Sequence, residues 1–209
     1  MCSFVPFIFF TNTNIPVVKY LIAGLGNIGT EYANTRHNIG FVVLDALVQD
    51  LKSSFEIDRH AFMAKGRVKS RQLVMIKPTT YMNLSGKAIR YWLDKENIPI
   101  ENLLVVTDEI ALDEGVLRMR AKGSGGTHNG MNHIIETLGR SDFSRLRIGI
   151  GNDFARGHQV DYVLGEWTRT EEKIMLEKIP SAVEMIKSFV FVGAQRTMNQ
   201  FNTKREKGV

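Results

Sequence analysis

Cysteine occurs once in this 209-residue chain, at Cys2. An internal disulfide is therefore excluded, and such sparing use fits a reducing compartment. No apolar run approaches the roughly 18 residues that mark a membrane-spanning helix, so no membrane association is expected. The apolar segment from Phe4 to Phe10 has no Lys or Arg ahead of it and no small-residue cleavage site behind it, which argues against a secretory signal. Internal repeats, linker-like tracts and breaks in composition are absent, and one domain is the economical reading. No serine sits in a G-x-S-x-G elbow. The five histidines show no paired ligand spacing, so no metal site is expected.

What remains is an ordinary globular composition, 44% hydrophobic and 23% charged. A single α/β domain of this length can bury a sizeable core. Lys and Arg number 27 against 22 Asp and Glu, a net charge of +5. That balance permits a polyanionic partner and says nothing about fold. Residues 1–18 read as an extension, either disordered or the product of a start site set too early, with Val17 or Val18 as the alternative initiator. Residues 19–198 read as the α/β domain and 199–209 as a basic tail.

The stretch Gly24-Leu25-Gly26-Asn27-Ile28-Gly29 follows the apolar run Lys19–Ala23, which reads as a buried strand. Gly24, Gly26 and Gly29 match G-x-G-x-x-G, a dinucleotide-site pattern. Two features depart from that fingerprint. The helix that should begin at the third glycine is delayed by about eight residues, and no acidic residue ends a second strand roughly 20 positions on. The intervening loop is instead crowded with Asn27, Tyr32, Asn34, Arg36, His37 and Asn38, which suits a hydrolytic or transfer site.

Periodicity predicts a helix over Asn38–Ser53, strands over Phe62–Lys69 and Gln72–Lys77, and a helix from Ser85, as N-cap, to about Asn97. Leu103–Val106 reads as a central strand. Gly115–Ala121 reads as a strand with Arg118, Arg120 and Lys122 on one face. The glycine-rich loop Gly123–Gly130 feeds a helix with Met131, Ile134, Ile135 and Leu138 at core spacing. Arg145–Gly151 is the last strand, 152–165 is polar and irregular, and Thr170 to about Gln195 is one long helix. The expected fold is a single α/β domain with a mixed, mostly parallel central sheet and helices on both faces.

If the strands are parallel, their carboxyl ends share one edge, where such folds bind ligands. Asn27, Asn83, Asp108 and Asn129 all follow strands or open a helix there, and His37 belongs to the same edge. Imidazole exchanges a proton near neutral pH, and a carboxylate behind it selects the tautomer. With no side-chain nucleophile in view, water is the attacking group. The amides of Asn27, Asn83 or Asn129 can donate to a developing oxyanion or hold a peptide-like substrate.

These residues also lie in family signatures. Gly24-Leu25-Gly26-Asn27-Ile28-Gly29, then Tyr32 and Thr35-Arg36-His37-Asn38-Ile39-Gly40, resembles the opening signature of bacterial peptidyl-tRNA hydrolases. Lys77–Gly86, Asp108-Glu109, Gly123–Gly130 and Arg145–Gly151 continue the resemblance in order, over about Lys19 to Gln195. The resemblance implies hydrolysis of the ester between a peptide and the terminal ribose of tRNA. It implies His37 as the base that activates water, Asp108 as the carboxylate that orients it, and Asn27 at the scissile region. Asn83 and Asn129 would position substrate, Tyr32 and Met82 would line the peptide and terminal-adenosine site, and Arg120 and Arg147 would grip the tRNA 5′-phosphate. Arg120 stands where the family usually has lysine, and Ile28 where it commonly has proline. No cofactor is implied, and the partner is peptidyl-tRNA read largely without regard to sequence. A cytoplasmic monomer is expected. The alternative is an RNA-binding homologue without activity, as in organellar splicing factors of this fold.

Overall fold

A computed structural model of the chain describes residues 17–202. The readings placed on residues 1–16 and 203–209 lie outside the described residues. In order the elements are β1 (Lys19–Gly24), α1 (Ile39–Asp50), β2 (Glu56–Asp58), β3 (Ala61–Val68), β4 (Arg71–Pro78), α2 (Ser85–Glu96), β5 (Leu103–Glu109), β6 (Leu117–Arg120), α3 (Asn129–Leu138), β7 (Ser144–Gly149), α4 (Gln159–Val163), α5 (Arg169–Val192) and α6 (Ala194–Phe201).

The seven strands form one sheet in the order β2-β3-β4-β1-β5-β7-β6. β4, β1, β5 and β7 pair in parallel at the centre. β3 and β6 run against them at the flanks, and β2 pairs antiparallel with β3. The sheet is thus mixed and mostly parallel, as expected. Central strands buried on both faces read as unbroken apolar runs, and residues 103–108 of β5 are all buried.

Side chains alternate across the sheet and build two cores. Ile22, Met75, Leu104, Val106 and Leu146 meet Val43, Leu44 and Leu47 of α1 and Met185, Ile186 and Phe189 of α5 on one face. Leu21, Ala23, Val74, Ile76 and Val105 meet Ile89 and Trp92 of α2 and Met131 and Ile134 of α3 on the other. Helices therefore cover both faces.

Several boundaries differ from the periodicity reading. α1 begins at Ile39, after a 3₁₀ turn over Arg36–Asn38. Ser85 is the first residue of α2, not its N-cap. Leu84 takes the cap position, and the Ser85 hydroxyl donates back to the Met82 carbonyl at 2.8 Å. The long helix expected over Thr170–Gln195 is two helices, because Gly193 adopts φ 83° and breaks the chain's direction. Glycine tolerates that conformation at no steric cost. The helix α4 lies inside the segment read as irregular and the strand β2 in residues to which no element was assigned; neither was legible from periodicity. Beyond α6, the Asn202 amide accepts from Met119 N–H (2.9 Å) and donates to Met119 O (2.8 Å), covering the edge strand β6.

Candidate active site

The carboxyl ends of β1 and β5 are tied together by the backbone. Leu25 N–H donates to Val106 O at 2.9 Å. Gly24 and Gly40 face each other so closely that a Cβ on Gly24 would meet the Gly40 carbonyl, and one on Gly40 would meet the Leu25 backbone and Val106 O. This approach seats the start of α1, and His37 ahead of it, over the edge of the sheet. Asn38 then fixes the glycine loop. Its Oδ1 accepts from Asn27 N–H (2.8 Å) and its Nδ2 donates to Asn27 O (2.9 Å). The Asn27 side chain in turn accepts from Met82 N–H through Oδ1, at 3.2 Å. Its carbonyl end being engaged, the Asn27 Nδ2 is the end left to donate elsewhere.

Asp108, 4% exposed at the end of β5, is the centre of the site. His37 Nδ1 lies 3.0 Å from each of its oxygens, and His128 Nε2 lies 3.0 Å from Oδ1. His128 is the N-cap of α3, and its Nδ1 accepts from Met131 N–H at 3.3 Å. A ring nitrogen that accepts holds no proton, so the His128 proton is on Nε2 and points at Asp108. The Asp108 carboxylate likewise takes the His37 proton on Nδ1, which leaves His37 Nε2 as the basic nitrogen. Burial pushes the Asp108 carboxyl up, but the His128 and His37 imidazoles outweigh it and hold the group well below the usual carboxylate range.

His128 was missed in the sequence. It is 20 residues from Asp108, and His37 is 71 away, so no spacing pattern announces the cluster. These three side chains place their ligand-type atoms within 4.8 Å of one another, a grouping the linear arrangement of histidines did not suggest. In the arrangement seen, the two nitrogens facing Asp108 serve as hydrogen-bond donors.

A cleft of about 1160 Å³ opens over this cluster, and Asn27, His37, Met82, Asn83, Asp108, His128 and Asn129 all line it. Its other end is cationic, lined by Arg120, Lys122, Arg145 and Arg147. Tyr81, Val160 and Val163 contribute apolar surface. Tyr32, grouped with Met82 in the sequence reading, stands half-buried on a 3₁₀ turn over Thr30–Tyr32 and is not among the lining residues. Arg147 is paired with Glu109, its Nε 2.7 Å from Oε2. Arg145 is 3% exposed and donates to the Ser124 and Ser141 carbonyls at 2.8 and 3.0 Å, pinning the glycine loop. Burial, with the neighbouring Arg147 charge, brings the Arg145 guanidinium down to about 10.

Arg36, next to His37, is anchored from outside the cleft. Its Nε and Nη2 bind the two oxygens of Glu171 at 2.9 and 2.8 Å, and Nη1 donates to Tyr162 O at 3.1 Å. The Tyr162 ring lies 4.4 Å from its guanidinium. The loop that carries His37 is thereby fastened to α4 and to the first turn of α5.

The family model described as peptidyl-tRNA hydrolase matches residues 21–208. A peptidyl-tRNA hydrolase of Phocaeicola vulgatus is 56% identical over 187 residues, covering 90% of this chain and 100% of that protein. One of Cytophaga hutchinsonii is 53% identical over 188 residues, with the same coverage of 90% and 100%. Among solved structures, that of peptidyl-tRNA hydrolase from Acinetobacter baumannii is similar at a TM-score of 0.84 and 33% identity, covering 88% of this chain and 94% of that one.

Proposed function

Because the chain belongs to the peptidyl-tRNA hydrolase family and hydrolyses peptidyl-tRNA, we propose how its residues divide that work. His37 Nε2 takes a proton from water, and the resulting hydroxide attacks the ester carbonyl that joins the peptide to the terminal ribose. Asp108 holds the proton on Nδ1 and stabilises the imidazolium as it forms. The Asn27 Nδ2 donates to the oxyanion. Collapse releases the ribose hydroxyl, which takes the proton back from His37. The ester is already activated, so one positioned base and one oxyanion donor suffice.

The observation that carries this reading is the bond of His37 Nδ1 to a carboxylate that is 4% exposed, inside a cleft lined by three asparagine side chains. Asn83 and Asn129 hold the peptide amides and the terminal nucleotide, with Met82 beneath them. Tyr32 borders the peptide from outside the cleft. Arg120 and Arg147 grip the 5′-phosphate of the acceptor stem, where the cleft is cationic. An arginine in place of lysine at Arg120 keeps the charge and adds a planar fork. Phosphate contacts carry no base information, so tRNA identity matters little. The enzyme works as a monomer in the cytoplasm, without cofactor.

Release of N-acyl amino acid from N-acylaminoacyl-tRNA, by wild type beside His37→Ala, tests the assignment. Loss of the base lowers turnover by about 10²–10⁴-fold with tRNA binding retained. Turnover within twofold of wild type refutes it. Intact His37, Asp108 and Asn27 weigh against the binding-only homologue, which has no use for a buried imidazole–carboxylate pair.

A further inference from the structure

We propose that Glu109 is a competitor for the phosphate site, a carboxylate that loosens the grip on tRNA so that the deacylated product leaves. The proposal rests on the reading of Arg147 as a phosphate ligand. Glu109 closes β5 one position after Asp108 and points into the cationic end of the cleft. Its Oε1 accepts from Ala111 N–H at 3.0 Å, which fixes the carboxylate. Its Oε2 takes the Arg147 Nε at 2.7 Å and also meets Nη2. One edge of the guanidinium fork is therefore already filled by an anion.

Its placement distinguishes Glu109 from a group that merely braces an arginine from behind. The Glu109 and Arg147 side chains are exposed alike, 22% and 23%, and both line the same cleft. An entering phosphate must displace the carboxylate from Arg147 or bind beside it. Either way the carboxylate weakens the complex, because like charges repel and a charge-assisted pair is given up. Arg145 offers little to an entering phosphate, since it is 3% exposed and its Nη1 and Nη2 already donate to the Ser124 and Ser141 carbonyls. Substrate and product tRNA carry the same 5′-phosphate. A site that bound it as tightly as the cations allow would retain product as well as substrate, and binding the two equally adds nothing to the chemical step.

The test measures inhibition by deacylated, 5′-phosphorylated tRNA together with KM and kcat. Glu109→Gln keeps an oxygen for Ala111 N–H and removes the charge. The expected result is product tRNA bound about three- to tenfold more tightly, with KM for full-length substrate lowered. A minimal peptidyl-adenosine ester, which lacks the phosphate, shows neither change. Glu109→Ala tightens binding in the same direction, and in the Arg147→Ala background Glu109→Gln tightens it less, because the ion pair is already gone and only the repulsion is relieved. Equal or weaker tRNA binding by both Glu109 variants, while Arg147→Ala weakens binding, overturns the proposal and leaves the phosphate site standing. If Arg147→Ala binds tRNA as wild type does, the phosphate reading falls and this proposal with it. A purely structural Glu109 does not yield tighter binding, so a gain separates the two roles.

Discussion

Replacing Asp108 by asparagine tests the assignment of protons around His37. The native carboxylate accepts from both imidazoles, His37 Nδ1 and His128 Nε2, each at 3.0 Å. An amide offers one accepting oxygen and one donating NH₂. His128 cannot adapt to that change. Its Nδ1 is engaged by Met131 N–H, so its proton stays on Nε2 and claims the amide oxygen. The NH₂, in the place of Oδ2, then faces His37 Nδ1 at 3.0 Å. Nδ1–H still reaches the amide oxygen shared with His128, but only by opposing that NH₂, and the tautomer that avoids the clash carries the His37 proton on Nε2. The lone pair that would activate water is gone. Restoring the productive tautomer would set two donors against each other in a site where residue 108 is 4% exposed. Reversal of the tautomer in such a pair lowers kcat by about 10³–10⁴-fold, about 4–5.5 kcal/mol.

Single-turnover hydrolysis of N-acylaminoacyl-tRNA by Asp108→Asn measures the loss, with tRNA binding followed separately and expected to stay within about twofold, since no phosphate contact is touched. The same logic predicts a suppressor. His128→Ser removes the imidazole that claims the amide oxygen, while serine remains a good N-cap for α3. In the double variant the amide is free to turn its oxygen to His37, and activity rises about tenfold or more above Asp108→Asn alone. Such non-additivity is the signature of groups sharing one partner. Asp108→Asn within tenfold of wild type, or a double variant no more active than the single, refutes the proton assignment.

Glu171→Ala leaves the Arg36 guanidinium, 8% exposed, without its counter-charge; urea unfolding should show a loss of about 3–5 kcal/mol, and a loss under 1 kcal/mol contradicts the burial argument. Acid should destabilise the fold through Asp108, Glu96 and Glu171. Burial raises each carboxyl, but the imidazoles on Asp108, Lys19 and Lys65 on Glu96, and Arg36 on Glu171 bring each below its ordinary value. Depressed native values mean that the unfolded chain binds protons first, so the stabilisation is complete above the ordinary values of 3.8 and 4.5 and is lost as pH falls below them. Urea midpoints that rise between pH 5.5 and 3 refute that sign. Gly40→Ala should cost about 2–3 kcal/mol and lower kcat, because its Cβ meets backbone atoms of Leu25 and Val106 that cannot rotate away. Wild-type stability and turnover would show that this close approach is not required.

The sheet was legible because β1, β4 and β5 carry nearly unbroken apolar runs, a pattern that burial on both faces imposes, and β7 alternates arginines with aliphatic residues. The edges were not. β2 is three residues long and has an 84%-exposed Ile57, so it shows neither alternation nor a buried run. The break between α5 and α6 rests on one glycine inside an otherwise continuous helical pattern, and periodicity does not weigh a single φ. At the site, His37, Asp108 and the three asparagines were legible by position, since each follows a strand or opens a helix at one edge. His128 occupies an N-cap, a place where Ser, Thr, Asp and Asn are the expected residues. Its second nitrogen reaches Asp108 only through the fold.

Asn38 shows why position alone understates this site. In the sequence it is one more amide in a polar loop. In the fold its side chain binds both backbone groups of Asn27, and its own backbone follows His37 directly. His37 and Asn27, the proposed base and oxyanion donor, are therefore one mechanical unit. Asn27 adds the start of the Met82–Leu84 turn to it through Met82 N–H, and Leu25 N–H adds β5. Three strand ends are thus held by short, directional contacts beyond the sheet ladders, while apolar packing seats the helices on the sheet. Apolar packing tolerates small shifts, because its energy varies gently with position. Hydrogen bonds at 2.8–3.2 Å do not. Precision in the proposed catalytic groups thus depends on the polar ties between the loops, and the cores beneath supply most of the stability.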